Sequence, residues 1–150
     1  MFNLSEYNSR GKEDQLIAYS PDKLKLNINN PDRLNIIAIE NNQVVGFLFG
    51  VIERLSIANM FYVEWFGVDT KYKTKRIKLV DGNTTTVINL LWDHMEMFAK
   101  SKNLNGILGD SLVSNNKAIN FGKHNGMNLW AEMKNHWYGQ DYFLFGKFYG

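Results

Sequence analysis

The segment from Thr84 to Lys100 sets the strongest limit on what this chain can fold into. Val87, Leu90, Leu91, His94, Met95 and Phe98 recur at three- and four-residue spacing, the period of one helix face. Asn83 or Thr84 can cap the start, and Asn103-Leu104-Asn105-Gly106 closes the end. On either side lie apolar stretches of strand length, Asn59 to Asp69 and Ile107 to Val113. Neighbouring strands joined through a helix run parallel, because a tight turn joins only antiparallel ones. The sheet must therefore contain at least one parallel pair.

Around that unit the pattern is of hairpins. Leu34 to Glu40 is β-branched, Asn41-Asn42 is a turn pair, and Gln43 to Leu55 is a long apolar strand. Met127 to Tyr138 and Gln140 to Tyr149 alternate apolar and polar positions around Gly139. Between Val113 and Met127 a short amphipathic helix, Asn116 to His124, is expected. Ala118, Ile119 and Phe121 give it an apolar face, Asn115 or Asn116 can cap it, and Gly126 can take the left-handed conformation that closes it. Two further helices are expected at Lys12 to Ser20 and Pro21 to Ile28. The order predicts an α/β (α+β) fold: a mixed, mainly antiparallel twisted sheet of about six strands, with helices on both faces.

At 150 residues with 45% hydrophobic content, residues 1-150 read as one domain with a sizeable core. The absence of cysteine removes disulfides, thiolate nucleophiles and Cys-based metal sites. Three scattered histidines give no metal-binding spacing, so no metal is expected. His94 lies on the apolar side of its helix and reads as a satisfied core histidine, and the tryptophans read mainly as core. The N-terminus lacks signal-peptide character, and Val44 to Ile52 falls far short of the ~20 apolar residues that span a bilayer. A cytoplasmic chain without membrane contact is expected. A net charge of +2 is too small to imply nucleic-acid binding. Lys71, Lys73, Lys75, Arg76 and Lys78 nevertheless crowd one segment, which reads as a solvated hairpin or as a phosphate-facing or docking patch.

The clearest candidate for chemistry is Glu64, inside the apolar run Tyr62-Val63-Glu64-Trp65-Phe66-Gly67-Val68-Asp69. Burying a carboxylate on such a strand is costly unless it is paired or protonated, so it reads as a functional base, one arm of a salt bridge or an exposed strand end.

The run from Asn115 to Met127 resembles the fourth helix of the GNAT-type N-acetyltransferase superfamily, N-x-x-A-x-x-F-Y-x-K-x-G-F. Asn115, Ala118, Phe121, Gly126 and Met127 fall on matching positions, while Gly122 stands where the family often has a tyrosine general acid. The strand Tyr62 to Asp69 resembles the family's fourth strand, and Asp81-Gly82-Asn83-Thr84-Thr85-Thr86 a degenerate form of its coenzyme loop. The resemblance implies acetyl-CoA as co-substrate, lying in the splay between the strands at Tyr62 to Asp69 and Ile107 to Val113. Phe66, Val68, Gly82, Asn83, Thr84, Thr85 and Asn115 would contact it, with the pyrophosphate at Gly82 to Thr85. It also implies Glu64 as the base that receives the proton of an amine acceptor, on a protein or a small molecule. With Gly122 in the acid position, Tyr138 is the substitute acid, and Tyr142 and His136 are further candidates. The alternative is a GNAT-like protein without transferase activity that binds a protein or nucleic acid, with the basic segment as its docking surface.

Overall fold

The computed structural model describes residues 29–137 and 139–150. The helices expected at Lys12 to Ser20 and Pro21 to Ile28 lie outside them. Eight strands and two α-helices follow in chain order: β1 (Arg33–Glu40), β2 (Gln43–Arg54), β3 (Asn59–Val68), β4 (Arg76–Lys78), β5 (Thr84–Thr86), α1 (Val87–Ser101), β6 (Gly106–Leu112), α2 (Asn116–His124), β7 (Asn128–Trp137) and β8 (Gln140–Phe148). Six strands form one sheet in the order β1-β2-β3-β6-β8-β7, and β4 and β5 form a separate two-stranded sheet. The crossover expected from sequence is present: β3 and β6 are parallel neighbours, pairing Met60 with Gly106 through to Val63 with Gly109, and α1 connects them.

The described residues form two compact units. The first holds those up to Phe49 together with Trp65–Glu96. Its β1–β2 hairpin turns at Asn41 and Asn42, whose φ values of 52° and 61° are left-handed, as a tight hairpin between right-twisting strands requires. The first turns of α1 pack closely on β2. A Cβ on Gly46 would come within 2.9 Å of Val87 and 3.0 Å of Leu91, so the helix can approach only where that side chain is missing. Val45, Leu48, Val87, Leu91, Trp92 and Met95 are buried around this contact. After β3, Asp69 caps a short 3-10 turn at Thr70–Tyr72 by accepting from the Lys71 N–H. The buried Tyr72 lies close to Glu40, which takes the Lys75 ammonium at 2.9 Å.

The second unit holds Gly50–Glu64 and Met97–Gly150. Here β6 lies between parallel β3 and antiparallel β8, and β7 closes the sheet edge. Phe61 meets Phe98 of α1 edge-on, and Met60, Ile107, Ile119, Met127, Tyr142 and Phe145 are buried. The Asn115 side chain accepts from the Ala118 N–H and so caps α2, and Gly126 closes it at φ 81°. Lys147 then donates to the Asn125 carbonyl at 3.0 Å, a cation on the negative end of the helix. Gly106 shows how tightly β6 meets β8: a Cβ there would sit 2.0 Å from the Lys147 carbonyl oxygen.

These close approaches and ion pairs can be tested through stability. Gly106→Ala must push a backbone carbonyl aside, so urea denaturation should show a loss of about 1–3 kcal/mol; parent-like stability would contradict the β6–β8 register. Glu40 is held below its ordinary value of 4.5, first by the Tyr72 hydroxyl and then by Lys75. A depressed carboxylate contributes stability that is present above its unfolded value and lost as pH falls through the folded one. Acid titration of Glu40→Gln should therefore show a shallower stability loss below about pH 4.5 than the parent.

Candidate active site

The β3–β6 ladder ends at Val63↔Gly109, yet β3 runs on to Val68 and β6 to Leu112. The next residues are both acidic, Glu64 on β3 and Asp110 on β6. On its other edge β6 stays paired with β8 to its end, Asp110 with Leu144 and Leu112 with Tyr142. Side chains alternate along a strand, so the pairing of Tyr62 with Leu108 puts Asp110 on the Tyr62 face. The Tyr62 hydroxyl donates to Asp110 Oδ2 at 2.5 Å. His136, from β7, places Nε2 3.4 Å from that same oxygen, its side chain 35% exposed against 18% for Asp110. Its ring stands edge-on to Tyr142 of β8, centroids 5.6 Å apart. Four strands therefore supply one half-buried cluster of two tyrosines, a carboxylate and an imidazole.

The phenol of Tyr62 is pushed well above its ordinary range. Burial is the main cause, followed by the hydrogen bond to Asp110 and the negative charges of Asp110, Glu64 and Glu53. Tyr62 is consequently the donor, and Asp110 the acceptor, of the bond between them. It fixes Asp110, and Asp110 faces His136. The influence of Glu64 on this phenol marks it as a near neighbour of the cluster.

The sequence-derived site residues are distributed as follows. Glu64 is half-buried at the end of the ladder, and Tyr138 lies outside the described residues. Phe66 turns its ring to Trp92 at 5.9 Å, and Val68 ends β3. The Asn115 side-chain oxygen is engaged in capping α2. The helix expected from Thr84 begins instead at Val87, because Thr84, Thr85 and Thr86 pair with Lys78, Ile77 and Arg76 as β5. Three consecutive β-branched residues favour the strand. Thr86, rather than Asn83 or Thr84, lies at the cap, its hydroxyl accepting from the Asn89 N–H at 3.3 Å. Gly82 is at the hairpin turn with φ 86°, and Asn83 bonds to Asp81.

Other expectations need correction. His94 is exposed, not in the core, and its Nδ1 lies 2.9 Å from the Leu90 carbonyl oxygen. Trp92 is buried, but Trp130 and Trp137 are 40% and 45% exposed, and Trp130 stacks on Phe148. Of the basic segment, Lys71 and Lys75 lie over the Tyr72 ring, while Arg76 and Lys78 are exposed on β4. Sequence reading passed over Asp110, although an acid inside the run Ile107 to Val113 is the same signal that singled out Glu64. Among the described residues no helix is long and apolar enough to cross a membrane.

No protein-family model matches the sequence, and no curated protein sequence matches it. Solved structures do match its fold. A probable acetyltransferase from Staphylococcus epidermidis is 17% identical with a TM-score of 0.74, over 90% of this chain and 80% of that one. NAA60 of Arabidopsis thaliana in complex with acetyl-CoA is 15% identical with a TM-score of 0.69, over 87% of this chain and 84% of that one. An acetyltransferase of the GNAT family from Streptococcus pneumoniae is 13% identical with a TM-score of 0.66, over 86% and 74%. The chain has the GNAT fold.

Proposed function

We propose that the chain is an acetyl-CoA-dependent N-acetyltransferase acting on an amine of a protein or small molecule. The observation that carries this reading is the end of the parallel ladder at Val63↔Gly109, with Glu64 and Asp110 immediately beyond it. An extended amide-containing chain such as that of coenzyme A can lie along the β6 edge that β3 no longer follows beyond Gly109. Gly109 fits such an approach, since the nearest atom to a Cβ placed there is 3.9 Å away, on Val63. The phosphates are assigned to Gly82, Asn83, Thr84 and Thr85, as read from sequence. The first turn of α1 contains no acidic side chain to repel them.

Acetyl transfer requires an amine with a lone pair, a polarised thioester carbonyl and a protonated leaving thiolate. Glu64 is assigned the first task, taking a proton from the acceptor ammonium directly or through water. Its neighbour Asp110 adds negative charge that favours binding of a cationic acceptor. Tyr138 retains the acid role given to it from sequence. Nothing at Gly122 can supply a hydroxyl, although a Cβ there would meet Met127 only at 3.7 Å.

A second reading, a binding protein of GNAT fold without transferase activity, is favoured by that glycine and by the exposed Arg76 and Lys78 of the β4–β5 hairpin. The two readings separate on ligand binding and turnover. On the transferase reading, acetyl-CoA at about 100 times its Kd stabilises the native state by about 2.7 kcal/mol, which raises the melting temperature of a chain this size by several degrees. Release of free coenzyme A thiol in the presence of tripeptides with free N-termini, or of polyamines, should then report turnover. Glu64→Gln should lower kcat by at least about 100-fold at neutral pH and leave coenzyme affinity nearly unchanged. An unchanged melting temperature, with no thiol released from any amine, would leave the binding protein as the surviving reading. In that case, charge reversal at Lys73, Lys75 and Arg76 should abolish partner capture at low salt.

A further inference from the structure

We propose that Arg76 and Lys78 bind the 3′-phosphate of the coenzyme, so that this chain separates coenzyme A from its 3′-dephospho form. This rests on the acetyltransferase reading. In the β4–β5 ladder Arg76 lies opposite Thr86, and Lys78 opposite Thr84. Directly opposed residues on antiparallel strands share a face about 5 Å apart, and residues two apart on one strand share it too. One face of the hairpin therefore carries two cations and two hydroxyls. The other holds Ile77 and Thr85, both half-buried.

Of the five cations in the basic segment, these two are uncommitted. Lys71 and Lys75 lie over the Tyr72 ring, Lys75 is also paired with Glu40, and Lys73 has contacts of its own. Arg76 and Lys78 are exposed, and among the described residues their side chains make no ion pair, hydrogen bond or ring contact. The Thr86 hydroxyl accepts from the Asn89 N–H, which leaves its own hydrogen to donate. The backbone of the turn offers an anion less. The Gly82 N–H is given to the Leu79 carbonyl at 3.0 Å, and the Asn83 N–H to Asp81 Oδ1 at 2.9 Å. Asp81, the one acid of the hairpin, is turned in on this loop, where Asn83 Nδ2 also reaches it at 3.0 Å. What the hairpin presents to an anion is thus its Arg76–Lys78 face.

The chemistry of the ligand fits that face. A 3′-phosphate monoester carries close to two negative charges at neutral pH. A planar guanidinium holds such a group through paired N–H donors, and an ammonium adds a point charge beside it. One ribose bears both the 3′-phosphate and the diphosphate. A diphosphate at Thr84 and Thr85 therefore brings the 3′-phosphate within one sugar ring of the cations across the ladder.

Isothermal titration calorimetry with coenzyme A and with 3′-dephospho-coenzyme A tests the assignment. In low salt the parent should bind coenzyme A about tenfold more tightly, and the difference should shrink as added salt screens the exposed charges. The double variant Arg76→Gln, Lys78→Gln should bind both forms alike, near the parent's affinity for the dephospho form. Thr84→Val, which keeps the β-branched shape of the strand residue, should lose a smaller part of the preference. Equal binding of the two forms by the parent, or a preference that persists in the double variant, would overturn the assignment and leave the transferase reading intact. So would a double variant that weakens both forms equally, since the 3′-phosphate would then not be what the cations meet. If the parent binds neither form, both readings fall together.

Discussion

Everything proposed for this chain depends on where one parallel pairing stops. From Met60↔Gly106 to Val63↔Gly109 the strands β3 and β6 share a ladder, and beyond it β6 continues under the hold of β8 as far as Leu112↔Tyr142. Fixed by β8 on one edge, β6 keeps its course whether or not β3 accompanies it. The close approach at Gly106 is part of that hold, because any side chain there would strike the Lys147 carbonyl. The residues just past the break, Glu64 and Asp110, are carboxylates that a purely structural strand end would avoid.

One hydrogen bond anchors the cluster around Asp110, from the Tyr62 hydroxyl to Oδ2. Tyr62 is a donor because its burial disfavours the phenolate, and Asp110 is an acceptor of that bond. His136 sits at the more exposed end, edge-on to Tyr142. In the first unit, Tyr72 plays the corresponding structural part. It gathers Glu40, Lys71 and Lys75, so two of the five cations in the basic segment are engaged against one aromatic ring.

Much of the architecture was legible in the sequence because it is written in local signals. The period of Val87 to Phe98, the Asn41-Asn42 turn and the Asn115 cap with Gly126 each fix their own neighbourhood, and the crossover followed from chain order. What escaped was decided by partners distant in sequence. Thr84 to Thr86 read as helix caps until Arg76 to Lys78 claimed them as a strand. His94 looked apolar-facing by spacing but lies at the outer margin of its helix face. Tyr62, Asp110 and His136 come from three strands and meet only through the sheet order, which no local pattern encodes. Trp130 is exposed because it lies across Gly146 at the sheet edge, in a position that alternation would have assigned to the core.

The central claim is that coenzyme A enters where β3 and β6 part, and backbone amide NMR titration with acetyl-CoA tests it most directly. The account predicts the largest shift changes at Val63, Glu64 and Gly109 to Leu112, saturating with one Kd. An unchanged spectrum, or changes confined to the β4–β5 hairpin with Val63, Glu64 and Asp110 unmoved, would contradict it.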